Sequence, residues 1–213
     1  MHKRAVGAAG DGGTDQVPDL LVVAGPSCSG KTTFLKMLLE RRPLYQRPVT
    51  TTTRPPRAGE TDGVDYHFVS EDEFLARVEA GAFLEHQIIH GKSRYGLEIA
   101  AVRQVRKEGR FPAVVLDVQG ALELKGRIRM FSVFLAPGSK EEVVERIHRL
   151  RDVSEVGQRV RSVPQELAVQ GEFDVVVDNP EGRMGQAFSR FLAACDERIG
   201  RHLAAPRPRV LRR

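Results

Sequence analysis

The stretch "GPSCSGKTT", residues 25–33, decides how the rest of this chain is interpreted. It matches the pattern G-x-x-x-x-G-K-[ST], the pattern of a phosphate-binding loop. Glycines let the backbone wrap around phosphate oxygens, the lysine reaches the outer phosphates, and the Thr hydroxyl can hold Mg²⁺. We therefore predict that this loop binds the phosphates of a nucleotide. The predicted contacts are Gly25, Ser27, Ser29, Gly30, Lys31, Thr32 and Thr33, with Lys31 also catalytic and Thr32 also a metal contact.

The residues on either side of the loop support this interpretation. Residues 19–25, "DLLVVAG", form a short apolar run typical of a buried parallel strand. Residues 31–42 carry apolar side chains at helical spacing. These side chains are Phe34, Leu35, Leu38 and Leu39. The order of strand, glycine loop and helix is the order that a phosphate-binding loop requires.

The composition is that of an ordinary globular protein. With 213 residues, 41% of them hydrophobic and 29% charged, the chain can bury a substantial core. The two cysteines, Cys28 and Cys195, give neither a disulfide framework nor a zinc motif, which favours isolated thiols in a reducing compartment. The first 16 residues contain no apolar core of signal-peptide length, and no later stretch approaches 18 uninterrupted apolar residues. We therefore expect a cytoplasmic protein without a membrane segment.

The basic character of the chain is concentrated at its C-terminus. The formal net charge is +5, and residues 201–213 hold five arginines and no acid. The rest of the chain is therefore close to neutral. The Pro-Arg composition of this tail predicts a disordered extension, with weak binding to a polyanion such as nucleic acid as the alternative.

The middle of the chain interrupts the α/β pattern. Residues 45–70 are rich in Pro, Gly and Thr, which predicts short strands joined by turns. Ser70 and Glu73 have capping-box spacing and open a predicted helix that stops at Gly81. Residues 83–91 then read as a strand.

The second half returns to alternating strands and helices. Residues 112–118, 131–136 and 173–178 are apolar runs that predict three further buried parallel strands. A helix is predicted over 98–109. Another follows a second capping box, in "SKEEVVERIHRL" from residue 139, and an Arg-rich link comes after it. The last helix has an apolar inner face formed by Phe188, Phe191 and Leu192.

These elements predict an α/β fold with the parallel sheet of the P-loop NTPases, flanked by helices, together with a small inserted β-rich subdomain and a short Arg-rich lid. The insertion is where a second substrate is expected. The predicted boundaries are a flexible extension at 1–18, a domain at 19–200 and the basic disordered tail at 201–213. Within the domain, the core covers 19–44 and 98–200, the insertion about 45–97, and the lid about 149–160.

Several spaced motifs carry a family resemblance. "TTTRPPRAGETDGVDYHFVS" (51–70), "FLEH" (83–86), "RYG" (94–96) and "LDVQGA" (116–121) follow the phosphate loop in order. Together they resemble the nucleoside-monophosphate-binding region of guanylate kinases, and the similarity covers roughly residues 20–192. The resemblance implies Mg²⁺-assisted transfer of a phosphoryl group from ATP to GMP or dGMP.

The resemblance also assigns roles on the acceptor side. A phosphate dianion calls for cations and hydroxyls, and a carboxylate can accept both the N1 hydrogen and the 2-amino group of guanine. The implied GMP contacts are Arg54, Arg57, Tyr66 and Tyr95 at the phosphate, Glu85 at the N1 and 2-amino edge of the base, Thr50 as a donor to guanine O6, and Asp117 at the base or the hydrated Mg²⁺. Asp117 is accordingly also a predicted metal contact.

Arginines in and before the predicted lid complete the implied catalytic set. Phosphoryl transfer depends on positioning and on cations spread over the transferring group, and lid closure excludes water. The implied catalytic arginines are Arg146, Arg149 and Arg159, with Arg151 as a further lid candidate.

Three positions depart from the family pattern. Leu97 follows Gly96 where the family has a Ser or Thr that contacts the base. Residues 148–156 lack the usual glycine-containing turn of the lid, and "VDNPE" replaces "VNDD", which puts Asp178 in the place of the asparagine. Two alternatives therefore stay open: a kinase of the same fold with another acceptor, such as ribose 1,5-bisphosphate, and a catalytically weak protein-binding module. The complete phosphate loop favours an enzyme.

Overall fold

The computed structural model of the chain describes residues 18–89, 93–150 and 153–200. The predicted basic tail, nearly all of the N-terminal extension, and Arg151 lie outside the described residues. The strands are β1 Leu20–Ala24, β2 Tyr45–Gln46, β3 Thr50–Thr52, β4 Tyr66–Phe68, β5 Phe83–Ile89, β6 Ser93–Glu98, β7 Phe111–Val115, β8 Met130–Ala136 and β9 Val175–Asp178. The α-helices are α1 Lys31–Arg41, α2 Glu71–Glu79, α3 Ile99–Lys107, α4 Val118–Leu124, α5 Lys140–Leu150, α6 Val153–Ala168 and α7 Met184–Cys195.

The central sheet is parallel, as predicted. Its five strands lie in the order β2-β7-β1-β8-β9, and all four pairings are parallel. All residues of β1 are fully buried because helices cover both faces of the sheet. The strand predicted at 173–178 is not fully buried. β9 lies at the edge of the sheet, which leaves Val176 40% exposed.

Two apolar clusters hold helices against the two faces of this sheet. Leu21 and Val23 of β1 pack with α1 and α7 on one face, while alternate β1 residues pack with α3 and α4 on the other. Phe34 of α1 lies 5.5 Å, ring centroid to centroid, from both Phe188 and Phe191 of α7. Burial of each of these rings contributes about 1.5–3 kcal/mol, so α1 and the phosphate loop before it are held on a rigid base.

The insertion forms a second, mixed sheet in the order β4-β3-β6-β5. Helix α2 begins as predicted, because the Ser70 hydroxyl accepts a hydrogen bond from the Glu73 amide at 3.2 Å. The N-terminal boundary of the insertion differs from the prediction. β2 pairs with β7 of the central sheet, so Tyr45 belongs to the core and the sheet of the insertion begins at Thr50.

The Arg-rich link predicted after α5 is helical over its described residues. α5 runs to Leu150, and α6 begins at Val153 and continues to Ala168. Val143 and Ile147 of α5 pack on Val163 of α6, so apolar contacts select a helix pair where the charged sequence suggested a linker. In the parts of the chain that the structure describes, no helix is both long and apolar enough to cross a membrane.

Candidate active site

A cavity of about 1130 Å³ opens at the carboxyl ends of the central strands. Its walls come from the phosphate loop, the segment after β7, helices α5 and α6, and the start of α7. It gathers most of the predicted donor-side residues from distant parts of the sequence. These are Gly25, Ser27, Gly30, Lys31, Thr32, Thr33, Asp117, Arg146, Arg149 and Arg159. Ser29 is fully buried behind the loop.

The phosphate loop passes so close to β8 that glycine is required. Gly25 has φ +142°, and a Cβ atom there would lie 2.5 Å from the carbonyl oxygen of Leu135. Gly30, directly before α1, has φ +101°. Because L-residues rarely adopt such φ values, these two glycines allow the tight turn that exposes the N-terminus of α1 to the cavity.

Asn179 clamps the loop from the end of β9. Its side-chain amide donates to the Ser29 carbonyl at 2.9 Å, and its backbone N–H donates to the Ala136 carbonyl at 2.7 Å. Asn179 therefore holds the loop in place from the neighbouring strand. The sequence had identified this asparagine only as displaced by one position from the family pattern.

Lys31 lies folded onto its own loop. Its ammonium donates to the carbonyl oxygens of Gly25 and Pro26, both at 2.7 Å. Burial lowers the pKa of this group to about 8, against the opposing charges of Glu166 and Asp117. The ammonium thus meets weak neutral acceptors, which a phosphate anion can replace.

Two of the predicted arginines lie at the phosphate loop and one at the rim. Arg159 of α6 donates to the Ser27 hydroxyl at 2.7 Å. Arg146 of α5 pairs with Glu142 and donates to the Asn179 carbonyl at 3.3 Å. The side chain of Arg149 is 62% exposed and pairs at 3.0 Å with Glu181, which also lines the cavity.

Glu166 of α6 also lines the cavity, and the sequence reasoning missed it. One of its carboxylate oxygens is buried without a hydrogen-bond partner, and burial raises the pKa of the group. Arg159, Ser162 and Glu166 are spaced i, i+3 and i+7, so they share one helical face. That spacing was the available signal, but the predicted lid ended at about residue 160, before Ser162 and Glu166.

Two carboxylates approach each other at the far end of the cavity. β7 ends at Val115, earlier than the predicted limit of 118, and Asp117 is the N-cap of α4. Its Oδ1 accepts from the Gly120 amide at 2.7 Å. Glu85 of β5 is only 7% exposed, and burial followed by the charge of Asp117 raises its pKa to about 7. Two acids from distant segments thus meet in one place.

Gln87 bridges these two acids and was also missed by the sequence reasoning. Its Nε2 atom donates to Asp117 Oδ1 at 2.7 Å and lies 3.5 Å from Glu85 Oε2. Gln87 follows Glu85 by two residues in β5, so the two side chains point to the same face of the sheet. The spacing of two residues between Glu85 and Gln87 in the predicted strand could have identified Gln87 from the sequence.

The predicted phosphate contacts of the acceptor form a separate cluster on the inserted sheet. Arg54 donates to the Tyr95 hydroxyl at 3.0 Å and to Glu60 at 2.9 Å, and the bond to Glu60 raises its pKa. Its guanidinium also lies 5.5 Å from the centroid of the Tyr66 ring. Arg57 stays exposed on the following turn, and Thr50 lies opposite Tyr66 in β3.

The predicted metal contacts fit Mg²⁺ by their chemistry. Thr32 and Asp117 supply a hydroxyl and a carboxylate to the same cavity. Within residues 18–89, 93–150 and 153–200, no group of three or more His, Cys, Asp or Glu side chains converges. Mg²⁺ in phosphoryl-transfer sites is held by one or two protein oxygens together with substrate phosphates and water.

A parallel sheet with a phosphate loop at its carboxyl edge and arginines facing that loop defines a P-loop nucleotide-binding protein. The family model for guanylate kinase matches residues 18–183. The chain belongs to the guanylate kinase family and is a nucleoside monophosphate kinase.

Individual relatives agree with this assignment. A guanylate kinase of Chlamydia felis is 36% identical over 169 residues, which cover 78% of this chain and 82% of the relative. One of Bifidobacterium longum is 38% identical over 167 residues, with 75% and 85% covered. The crystal structure of guanylate kinase from Anaplasma phagocytophilum superposes with a TM-score of 0.64 at 28% identity, covering 86% of this chain and 87% of that one.

Proposed function

We propose that this chain transfers the γ-phosphoryl group of ATP to GMP, and to dGMP, giving ADP and GDP or dGDP, with Mg²⁺ as cofactor. The observation that carries the proposal is the buried carboxylate of Glu85, which lies beside Gln87 of the phosphate-loop cavity. Asp117 and Gln87 line that cavity, and Glu85 lies within reach of the Gln87 amide. A donor site and a site suited to guanine are therefore continuous.

On the acceptor side, Glu85 accepts from the N1 hydrogen and the 2-amino group of guanine. Adenine lacks this pair of donors, so the contact selects guanine. Arg54, with Tyr66 and Tyr95 beside it, receives the monophosphate. The phosphate takes the place of Glu60 as the principal anionic partner of Arg54.

On the donor side, Lys31 leaves the two loop carbonyls and contacts the outer phosphates of ATP. Arg159 and Arg146, from α6 and α5, face the same loop and spread positive charge over the transferring group. Thr32 and Asp117 would hold Mg²⁺, which neutralises phosphate charge when bound. Closing α6 over the loop excludes water that would otherwise hydrolyse ATP.

The test is ADP release measured by a coupled assay, with Mg·ATP and a panel of acceptors. The panel contains GMP, dGMP, AMP, CMP, UMP and ribose 1,5-bisphosphate, with Lys31→Ala as the blank. Turnover highest with GMP supports the proposal. Turnover highest with another acceptor would reassign the substrate, and ADP release at the level of the blank throughout would favour a binding module instead.

We also propose a cytoplasmic location. The structure has both cysteines as free thiols, Cys28 in the phosphate loop and Cys195 in the core. Free thiols are the ordinary state in a reducing compartment, where ATP and GMP are also available. Fluorescence microscopy of a tagged full-length chain tests this location, and an extracellular or envelope signal would contradict it.

A further inference from the structure

Gln87 sits where the two halves of the candidate site meet. It is half-buried on β5, and its amide nitrogen lies between Asp117 Oδ1 at 2.7 Å and Glu85 Oε2 at 3.5 Å. An amide nitrogen carries two hydrogens. One hydrogen is donated to Asp117, whereas the other faces Glu85 at a distance that is the limit for a hydrogen bond. The second hydrogen is therefore available to a better acceptor.

The position of this amide is fixed by the first turn of α4. A Cβ atom on Gly120 would lie 2.2 Å from Gln87 Nε2, closer than nonbonded atoms approach. Glycine at this position thus makes the space that the amide occupies. Asp117, which caps the same helix, anchors the amide from the other side. The amide is consequently held beside Glu85 before any substrate binds.

The base site lacks a donor at another position. Leu97 follows Gly96, where the family resemblance implies a Ser or Thr hydroxyl. Its side chain is fully buried in the apolar cluster with Val22 and Val114. This position therefore presents no side-chain hydroxyl to a base.

We propose that Gln87 is a specificity-determining residue whose second amide hydrogen is donated to O6 of the guanine ring. The proposal rests on the proposed function, in which Glu85 accepts from guanine N1 and the 2-amino group. The guanine edge that Glu85 contacts is flanked by O6, an acceptor, on one side and by the second hydrogen of the 2-amino group, a donor, on the other, so a donor beside Glu85 is complementary only to O6. The hydrogen exchanges its long contact with Glu85 for a carbonyl oxygen, and Asp117 keeps the other hydrogen.

This arrangement adds selectivity at the 6-position. Adenine carries an amino group there, and it would meet the N–H of Gln87 donor to donor. Two opposed donors leave both unsatisfied in a half-buried site. Glu85 thus contacts the N1 and 2-amino edge of guanine, while Gln87 adds a donor at its 6-oxo group to the one that the family resemblance implies for Thr50.

The test compares GMP with 6-thio-GMP, which keeps N1–H and the 2-amino group but replaces O6 by sulfur, a weak acceptor. We would measure kcat/KM for both acceptors at saturating Mg·ATP, and Kd for both by calorimetry without ATP. The enzymes are wild type, Gln87→Leu and Gln87→Ala. Gln104→Leu serves as the matched control, because Gln104 likewise donates to a carboxylate, Glu108, but on the exposed face of α3.

We expect wild type to prefer GMP over 6-thio-GMP by about tenfold, the size of one good hydrogen bond. In both Gln87 variants the ratio should fall several-fold, while the Gln104→Leu control keeps the wild-type ratio. If the Gln87 variants keep the wild-type ratio of kcat/KM for GMP to that for 6-thio-GMP and lose activity equally with both acceptors, Gln87 has only a structural role. That result would overturn this inference but not the proposed function. Failure of wild type to bind or phosphorylate GMP would overturn the proposed function and, with it, this inference.

Discussion

Arg159 and Ser27 are 132 residues apart in sequence, and the guanidinium of one donates to the hydroxyl of the other at 2.7 Å. This bond joins α6 to the phosphate loop. It places a cation at the point where a bound triphosphate would add its negative charge. The helix pair α5 and α6 is thus already in contact with the donor site.

Replacing Arg159 by alanine should slow phosphoryl transfer more than it weakens ATP binding. A cation that stabilises developing charge acts mainly in the transition state, so we expect kcat to fall by about 10²–10³-fold with a smaller change in KM for ATP. Steady-state kinetics measure both. Arg161→Ala, an exposed arginine of the same helix, is the control. An equal fall of kcat in Arg161→Ala would mean that the overall positive charge of α6, and not the position of Arg159, causes the effect.

The depressed pKa of Lys31 predicts a pH dependence of stability in the nucleotide-free chain. The folded pKa is about 8 and the ordinary value is 10.5. Between these pH values the unfolded chain still holds a proton that the folded chain has released, so stability rises with pH. Relative to Lys31→Met, the free energy of unfolding of wild type should rise by about 1–3 kcal/mol across this window.

Denaturant titrations at several pH values from 7 to 11 measure this difference. Lys36→Met, which removes an exposed lysine of α1, is the matched control. The difference in the free energy of unfolding between wild type and this variant should not change with pH. If the free energy of unfolding of wild type relative to Lys31→Met instead falls as the pH rises, the folded chain favours the charged form of Lys31, contrary to the prediction.

Glu85→Gln should damage GMP phosphorylation more than IMP phosphorylation. The carboxylate is buried, and in the proposed function it accepts from both N1–H and the 2-amino group, whereas IMP lacks the amino group. The glutamine amide would oppose that amino group, so kcat/KM should fall about 10²-fold with GMP and markedly less with IMP. Kinetics with both nucleotides test this, with exposed Glu79→Gln of α2 as control. Equal losses would remove Glu85 from the base site.

Arg54→Ala should affect the acceptor and spare the donor. Arg54 bonds Tyr95 and Glu60 on the inserted sheet, which is separate from the phosphate loop. We expect KM for GMP to rise about 10–100-fold, while KM for ATP stays within about twofold. Arg103→Ala, an exposed arginine of α3, is the control. A comparable rise in KM for ATP would mean that Arg54 does not act specifically on GMP, contrary to the prediction.

Gly25→Ala should destabilise the fold itself. The new Cβ atom would meet the Leu135 carbonyl at 2.5 Å, and neither backbone segment can move away without breaking the sheet. Together with the strained φ, we expect a loss of about 2 kcal/mol or more, seen as a lower Tm. Gly126→Ala is the control, because Gly126 also has positive φ, +82°, but no atom within 4 Å. A similar loss of stability in Gly126→Ala would mean that the positive φ alone, and not the contact with Leu135, destabilises Gly25→Ala.

Much of the fold was predictable because its signals are local. The loop pattern, the apolar runs of the buried strands and the capping pair of Ser70 and Glu73 each act within a few residues, where periodicity and hydrogen bonding decide the structure. The errors arose where a neighbour decides instead. β2 joins the central sheet through β7, β9 is half-exposed because it lies at the edge, and α6 is a helix because Val163 packs on α5.

The sequence by itself determined the phosphate loop, the parallel α/β core and the residue types of both substrate sites, since these follow from short patterns and their order. Only the tertiary structure decided which side chains meet. It brought Gln87 between Glu85 and Asp117, placed Glu166 near Lys31, and buried Leu97 in the core. Such contacts depend on strand register and helix packing across long stretches of chain, and those are set by the whole core at once.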